Sequence, residues 1–191
     1  LWSAAALIRI LRRVGLGDVS PQEVTVEVNP RDADERWFEA LLRAGVSCFV
    51  DLTEPNEVPG YESFLPFATP SGRRIEYLRE PITDHGVPAD PETMGRILAM
   101  LDGALDAGHR VYLHCRAGIG RSATVAGCWL AERSATGGAG ALDELAGAWQ
   151  QAAQARYWPR VPETPEQAEF VRRWQALPAR RPLPGTLPAA A

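Results

Sequence analysis

The sequence predicts an α/β domain: a central, mostly parallel sheet of about four to five strands, flanked by helices on both faces. Three observations lead there. Short runs with strand character, apolar or alternating, recur at residues 46–52, 73–79 and 111–114. Segments with helical spacing stand before, between and after them. Glycine- and proline-containing turns punctuate the changes from one to the other.

In chain order, residues 34–45 have helical spacing, with Trp37, Leu41 and Leu42 on one face and Gly45 placed to close the helix. Val46 to Leu52 is a continuous apolar run, as a strand buried on both faces requires. Residues 56–72 collect Pro, Gly and Ser and are expected to form a loop. Arg73 to Arg79 alternates, as a strand does. Asp90-Pro91 opens a helix, with an Asp cap and proline at the first helical position. Its buried stripe is Met94, Ile97, Leu98, Leu101 and Leu105, and Gly108 ends it. A strand at 111–114, a glycine-containing turn and a helix to about Arg133 follow. Residues 134–140 read as a flexible connector, 141–156 as a helix and 165–176 as the last helix.

The 191 residues and a 46% hydrophobic share suit one domain, expected over residues 1–176. Four prolines in 177–191 point to a disordered tail. A net charge of −4 argues against a general nucleic-acid binder. All 20 basic residues are arginine, which with the abundance of Ala, Gly and Pro looks like the bias of a GC-rich genome. Cys48, Cys115 and Cys128 are too few and too odd in number for a disulfide framework, so a reducing, cytoplasmic setting is expected. No apolar run approaches the roughly 20 residues of a membrane span. Leu1 to Val14 reads as an amphipathic helix rather than a signal peptide, because its arginines follow the apolar stretch. Nothing in the sequence addresses oligomeric state.

The chemistry concentrates in His114-Cys115-Arg116-Ala117-Gly118-Ile119-Gly120-Arg121-Ser122, between a strand and a helix. Ligands of such sheets bind beyond the carboxyl ends of the strands. Glycines let a loop curl until successive backbone amides converge on an anion, and the following helix N-terminus adds its field. A cysteine at the mouth of that loop is favoured as thiolate, the nucleophilic form. Arg121 can pair two phosphoryl oxygens with its planar fork. Ser122 can donate its hydroxyl to the sulfur and ease its departure. His114 is expected to orient the loop rather than act as a base. Cys48 and Cys128 fit core positions.

The stretch HCRAGIGRSAT resembles the His-Cys-x5-Arg-Ser/Thr loop of the protein tyrosine phosphatase superfamily, most closely its dual-specificity-like branch and bacterial relatives. The likeness covers roughly residues 40–176. It implies a phosphotyrosine phosphatase-like fold and hydrolysis of phosphate monoesters without metal or other cofactor. It also implies a phosphocysteine intermediate on Cys115, with the phosphoryl group held by Arg121 and the loop amides of Arg116, Ala117, Gly118, Ile119 and Gly120. Such enzymes place an Asp on a mobile loop about thirty residues before the cysteine. The segment PITDHGVP resembles that loop and puts Asp84 there as the general acid, with His85 as local rival. Asp90 is better explained as a helix cap. Asp51, Glu54 and Glu57 fall near the expected pocket rim, and the sequence assigns them no role.

Glu163-Thr164-Pro165-Glu166-Gln167 resembles the Gln-Thr-x-x-Gln stretch of classical tyrosine phosphatases, in which glutamine positions the hydrolytic water. A capping box explains the same residues, leaving water positioning by Glu163 or Gln167 as the alternative. A rhodanese-like sulfurtransferase needs neither Ser122 nor Asp84. Small arsenate reductases and low-molecular-weight phosphatases carry their Cys-x5-Arg near the N-terminus, whereas here it lies past the midpoint. A phosphate-reading binding module would have lost the cysteine, arginine or acid. With Arg116 and Ile119 at its variable positions, the loop is only moderately basic. A phosphorylated protein or peptide is therefore the first expectation, phosphotyrosine ahead of phosphoserine or phosphothreonine. A phosphoinositide or other small phosphate ester is the alternative. Tyr61 and Phe64 are placed to supply an aromatic pocket wall.

Overall fold

The computed structural model describes residue 39, residues 41–57 and residues 60–175. The expected N-terminal helix, the first part of the 34–45 helix and the proline-rich tail lie outside the described residues. The elements are β1 (Val46–Asp51), β2 (Glu76–Arg79), α1 (Pro91–Asp106), β3 (Arg110–His114), α2 (Arg121–Ala131), α3 (Gly137–Trp149) and α4 (Pro165–Arg173). Single 3-10 turns occupy Glu62–Phe64 and Ala153–Arg156.

The sheet has three strands among the described residues, fewer than the four to five expected, in the order β2-β1-β3. Both pairings are parallel. Every residue of β1 is buried, which is why it reads as an apolar run rather than an alternation. Cys48, Val50, Val111 and Leu113 share one core cluster with residues of all four helices. A second cluster joins Phe49, Val46, Leu41 and Leu42, with Tyr61, Leu65, Tyr77 and Tyr112 packed against it. One face of the sheet thus packs on α1–α4. The helical residues 41–43 and the loop before β2 cover the other.

Local chemistry sets the element ends. The Asp90 carboxylate accepts from the Thr93 amide at 2.6 Å, and Pro91 fills the first position of α1. Met94, Ile97, Leu98 and Leu101 then bury the helix. Each such side chain contributes about 1.5–3 kcal/mol, more than the roughly 1 kcal/mol of the cap, so burial rather than capping holds α1 in place. Gly45 and Gly108 take left-handed φ values of 83° and 77° where helical segments end. Cys48 and Cys128 are fully buried, as expected of core cysteines. Burial pushes the Cys48 thiol up to about 12 and the Cys128 thiol higher still, so both are inert at neutral pH.

Residues 134–140 are not the expected flexible connector. α3 begins at Gly137, and the helix foreseen over 141–156 ends at Trp149. Gly138 serves close approach: a Cβ there would stand 2.1 Å from the Val171 carbonyl oxygen and 2.7 Å from that of Arg172. Gly127 of α2 does the same, where a Cβ would meet the Val171 side chain at 2.8 Å. Helices α2, α3 and α4 therefore pack at near-backbone distance around Val171 and Arg172, in the last turn of α4.

Gly138→Ala is expected to cost about 1–3 kcal/mol, because its methyl group meets immovable backbone. Gly147, in the same helix, is the opposite case: a Cβ there would meet nothing within 4 Å. Gly147→Ala is expected to add about 0.5–1 kcal/mol through helix propensity. Urea denaturation midpoints of the two variants check both signs.

Candidate active site

Because the strands are parallel, Asp51, Arg79 and His114 end at one edge of the sheet. Backbone hydrogen bonds continue past the strand ends and bring the next loops together. The Leu52 amide donates to His114 O at 2.9 Å, Glu80 N to Asp51 O at 3.0 Å, and Ile82 N to Leu52 O at 3.0 Å. Residues 52–57, 80–86 and 115–120 thus converge where ligands of such sheets bind.

The Cys115 sulfur lies 3.3 Å from the Ser122 hydroxyl and accepts from the Gly118 amide at 3.3 Å. Gly118 has φ 76°, a left-handed backbone that turns its N–H toward the sulfur and favours glycine. Ile119 is buried in the core and anchors the loop, while Arg116 and Ala117 are exposed. Of the two variable positions, only Arg116 meets the surroundings.

His114 is buried and stacks on Tyr112. Burial lowers its pKa, so the ring is neutral at pH 7. Its Nδ1 lies 3.2 Å from the Cys115 carbonyl, which can only accept, so Nδ1 carries the proton. Nε2 is then the acceptor for the Tyr61 hydroxyl at 2.5 Å. This tautomer fixes the Cys115 backbone, in keeping with an orienting role for His114. Tyr61 thus props His114 and packs edge-on against Phe49 and Tyr77. Phe64 is 76% exposed on its 3-10 turn.

Arg121 opens α2 and is 2% exposed. Glu57 takes it in a two-point fork, Oε2 to Nη1 at 2.6 Å and Oε1 to Nη2 at 2.7 Å. Nη1 also donates to the Ile82 carbonyl at 3.1 Å, and Nη2 lies 2.8 Å from Asp84 Oδ1. Burial works against the charge on Arg121, but the Glu57 fork and the nearby Cys115 and Asp84 outweigh it and raise its pKa. The same Arg121 hydrogen bonds hold the Glu57 carboxyl below its ordinary range. Glu57 is a site residue that the sequence left without a role. The available signal was an acidic residue just beyond the carboxyl end of the strand that pairs with the nucleophile's own strand.

Glu57 is itself held by a fixed loop. The buried Asp51 carboxylate accepts from Thr53 N at 2.9 Å, Thr53 Oγ1 at 2.6 Å and the Tyr77 hydroxyl at 2.7 Å. Arg79 donates to the carbonyls of Thr53 at 3.0 Å and Glu54 at 2.9 Å. Asp51 and Arg79 therefore shape the turn that presents Glu57.

Asp84 is 41% exposed, next to His85, whose φ of 58° is left-handed. The His85 ring lies between Asp84, 3.7 Å away, and Glu163, 3.4 Å away. Thr164 and Gln167 form the expected capping box, with Pro165 at the first position of α4. Gln167 also reaches beyond the helix to the Gly86 carbonyl at 2.9 Å. The expected residues Cys115, Arg121, Asp84, Ser122, Glu163 and Gln167 thus fall in one connected cluster around the loop from Arg116 to Gly120.

The chain is 38% identical over 99 residues to "Putative tyrosine phosphatase 067L" of Invertebrate iridescent virus 3, covering 49% of this chain and 37% of that protein. It therefore spans little more than a third of that relative's length. The crystal structure of Tk-PTP in its active form superposes with a TM-score of 0.56 at 28% identity, over 74% of this chain and 85% of that one. A kinase-associated phosphatase with its catalytic-site cysteine changed to serine shares the fold, with a TM-score of 0.57 at 22% identity over 71% of this chain and 72% of that one. Residues 27–135, more than half of this chain, match the family described as "Tc-R-P: Polymorphic toxin system, DSP-PTPase phosphatase", and the chain belongs to that family.

Proposed function

We propose that this chain is a cysteine-dependent phosphatase that hydrolyses phosphate monoesters through a phosphocysteine intermediate. The observation that carries this reading is the Cys115 sulfur held by the Gly118 amide and the Ser122 hydroxyl, in the loop that ends in the buried cation of Arg121. In the first step the Cys115 thiolate attacks phosphorus, and the bond to the leaving oxygen breaks. Arg121 and the amides of residues 116–121 hold the phosphoryl oxygens, and the Asp84 carboxyl protonates the leaving oxygen. In the second, water attacks phosphorus and gives its proton to the Asp84 carboxylate. The sulfur–phosphorus bond breaks, and the Ser122 hydroxyl stabilises the departing thiolate. Little covalent work falls to the protein beyond this, so positioning and charge do most of it.

The preferred substrate is a phosphorylated protein or peptide, with phosphotyrosine first. Glu54, Glu57 and Asp84 meet at the strand edge, while Arg116 is the one exposed cation of the loop from Arg116 to Gly120. That balance supports a substrate with one phosphoryl group over a polyanionic phosphoinositide. The family description supports use within a toxin system, where the activity would act on a target cell's phosphoproteins. Among the described residues no helix is long and apolar enough to cross a membrane. A cytoplasmic site of action belongs to the same proposal, because Cys115 must stay a thiol.

Cys115→Ser is expected to abolish phosphate release from an aryl phosphate while vanadate still binds, as read by turnover assay and calorimetry. Full activity in that variant would end the proposal. Asp84→Ala is expected to lower kcat by about 10²–10⁴-fold with a much smaller change in KM. An unchanged kcat would move the acid role to His85 or another carboxylate. A panel of phosphopeptides and phosphoinositides is expected to favour the peptides, and the reverse order would overturn the substrate assignment.

A further inference from the structure

Gln167 is fully buried, and its carboxamide has a protein partner at each end. Oε1 accepts from the Thr164 amide at 3.1 Å, which closes the capping box. Nε2 donates across 81 residues to the Gly86 carbonyl at 2.9 Å. Gly86 is two positions after Asp84. The same carboxamide presses on the other catalytic loop: a Cβ on Gly120 would stand 3.0 Å from Nε2 and 3.1 Å from Oε1. Glu163, one residue before the cap, repeats the pattern. Its Oε2 would lie 2.9 Å from that Cβ and is 3.4 Å from His85 Nδ1.

The first turn of α4 and the residue before its cap therefore touch the residue preceding Arg121 and both residues following Asp84. Such contacts exceed what a helix cap requires, since the capping box uses Thr164 and Gln167 Oε1 and has no part for the Nε2 bond to Gly86. A buried amide donor on a loop carbonyl fixes the position of that loop, and small displacements of a reacting group are costly in rate.

We propose that Gln167 is a positioning residue for the general-acid step: it holds the Gly86 carbonyl, and through it Asp84, in register with the phosphate-binding loop. The inference rests on the reading of Asp84 as the acid. It assigns Gln167 a task other than holding the hydrolytic water. Gly120 belongs to the same device, because any side chain there would push the carboxamide off Gly86.

The test separates this task from capping. Gln167→Glu keeps the size and the acceptor for Thr164 but replaces the donor to Gly86 with an oxygen. Thr164→Ala removes the side-chain cap and leaves the Gly86 bond. Each variant is assayed on phenyl phosphate, which needs leaving-group protonation, and on p-nitrophenyl phosphate, which needs it far less, with melting curves alongside. Gln167→Glu is expected to lower kcat on phenyl phosphate by about 10- to 100-fold with KM little changed. On the nitrophenyl ester the loss should stay within about threefold. Thr164→Ala should lower stability without changing the ratio of the two esters. Equal losses on both esters, no loss, or the same ratio change in Thr164→Ala would overturn the proposal. Gln167→Met replaces the glutamate variant if that one does not fold, and failure of both to fold would make the role structural. Asp84→Ala is run in parallel. If it shows no leaving-group dependence, the acid assignment itself has failed, and the role of Gln167 falls with it. If it does and Gln167→Glu does not, only the present inference fails.

Discussion

The buried guanidinium of Arg121 ties the site together. An arginine that is 2% exposed is unstable unless its charge and donors are matched. Here the matching groups come from two separate stretches of chain, Glu57 after β1 and the Ile82 carbonyl and Asp84 after β2, and the cation itself stands at the helix start after β3. Satisfying one cation therefore brings the three loops together at the carboxyl edge of a parallel sheet. Losing a partner from such a buried pair typically costs about 3–5 kcal/mol, so the loops are not independent of one another. In the proposed mechanism the same cation holds the phosphoryl group. The demand that organises the fold at this edge and the demand of the chemistry fall on one side chain.

Around this joint the remaining polar residues act at one remove. Neutral His114 orients the Cys115 carbonyl and is itself oriented by Tyr61. Asp51 and Arg79 shape the turn that carries Glu57. Thr164 and Gln167 cap α4 and at the same time fasten it to the loop of Asp84. None of these groups needs to touch a substrate to matter. Each removes freedom from a group that the proposed mechanism brings to the substrate, which is how a small domain keeps reacting atoms aligned.

Much of this was legible from the chain alone because it is written in short stretches. The strand, glycine-containing loop and helix from Val111 to Arg133 lie within some twenty residues. Their anion-binding chemistry follows from backbone geometry. The Asp90 cap, the Gly45 and Gly108 helix ends and the core roles of Cys48 and Cys128 are equally local. Long-range contacts were not legible. Glu57 meets Arg121 across 64 residues, and nothing near Glu57 in sequence distinguishes it from Glu54. The propping of His114 by Tyr61 was hidden because the two are 53 residues apart. The glycines at 137–140 suggested flexibility, since a sequence cannot distinguish a glycine chosen for freedom from one chosen for close packing. Gly138 is the second kind, as the Val171 carbonyl beside it shows. Only three strands occur among the described residues, where four to five were expected.

The central claim is that Cys115 becomes covalently phosphorylated during turnover. Rapid acid quenching of the enzyme with an aryl phosphate, followed by peptide mass spectrometry, tests it directly. A phosphoryl adduct on the peptide containing Cys115, appearing before steady state and absent without substrate, is the predicted result. Steady turnover with that peptide unmodified at every quench time, or with the phosphoryl group on His114 instead, would contradict it.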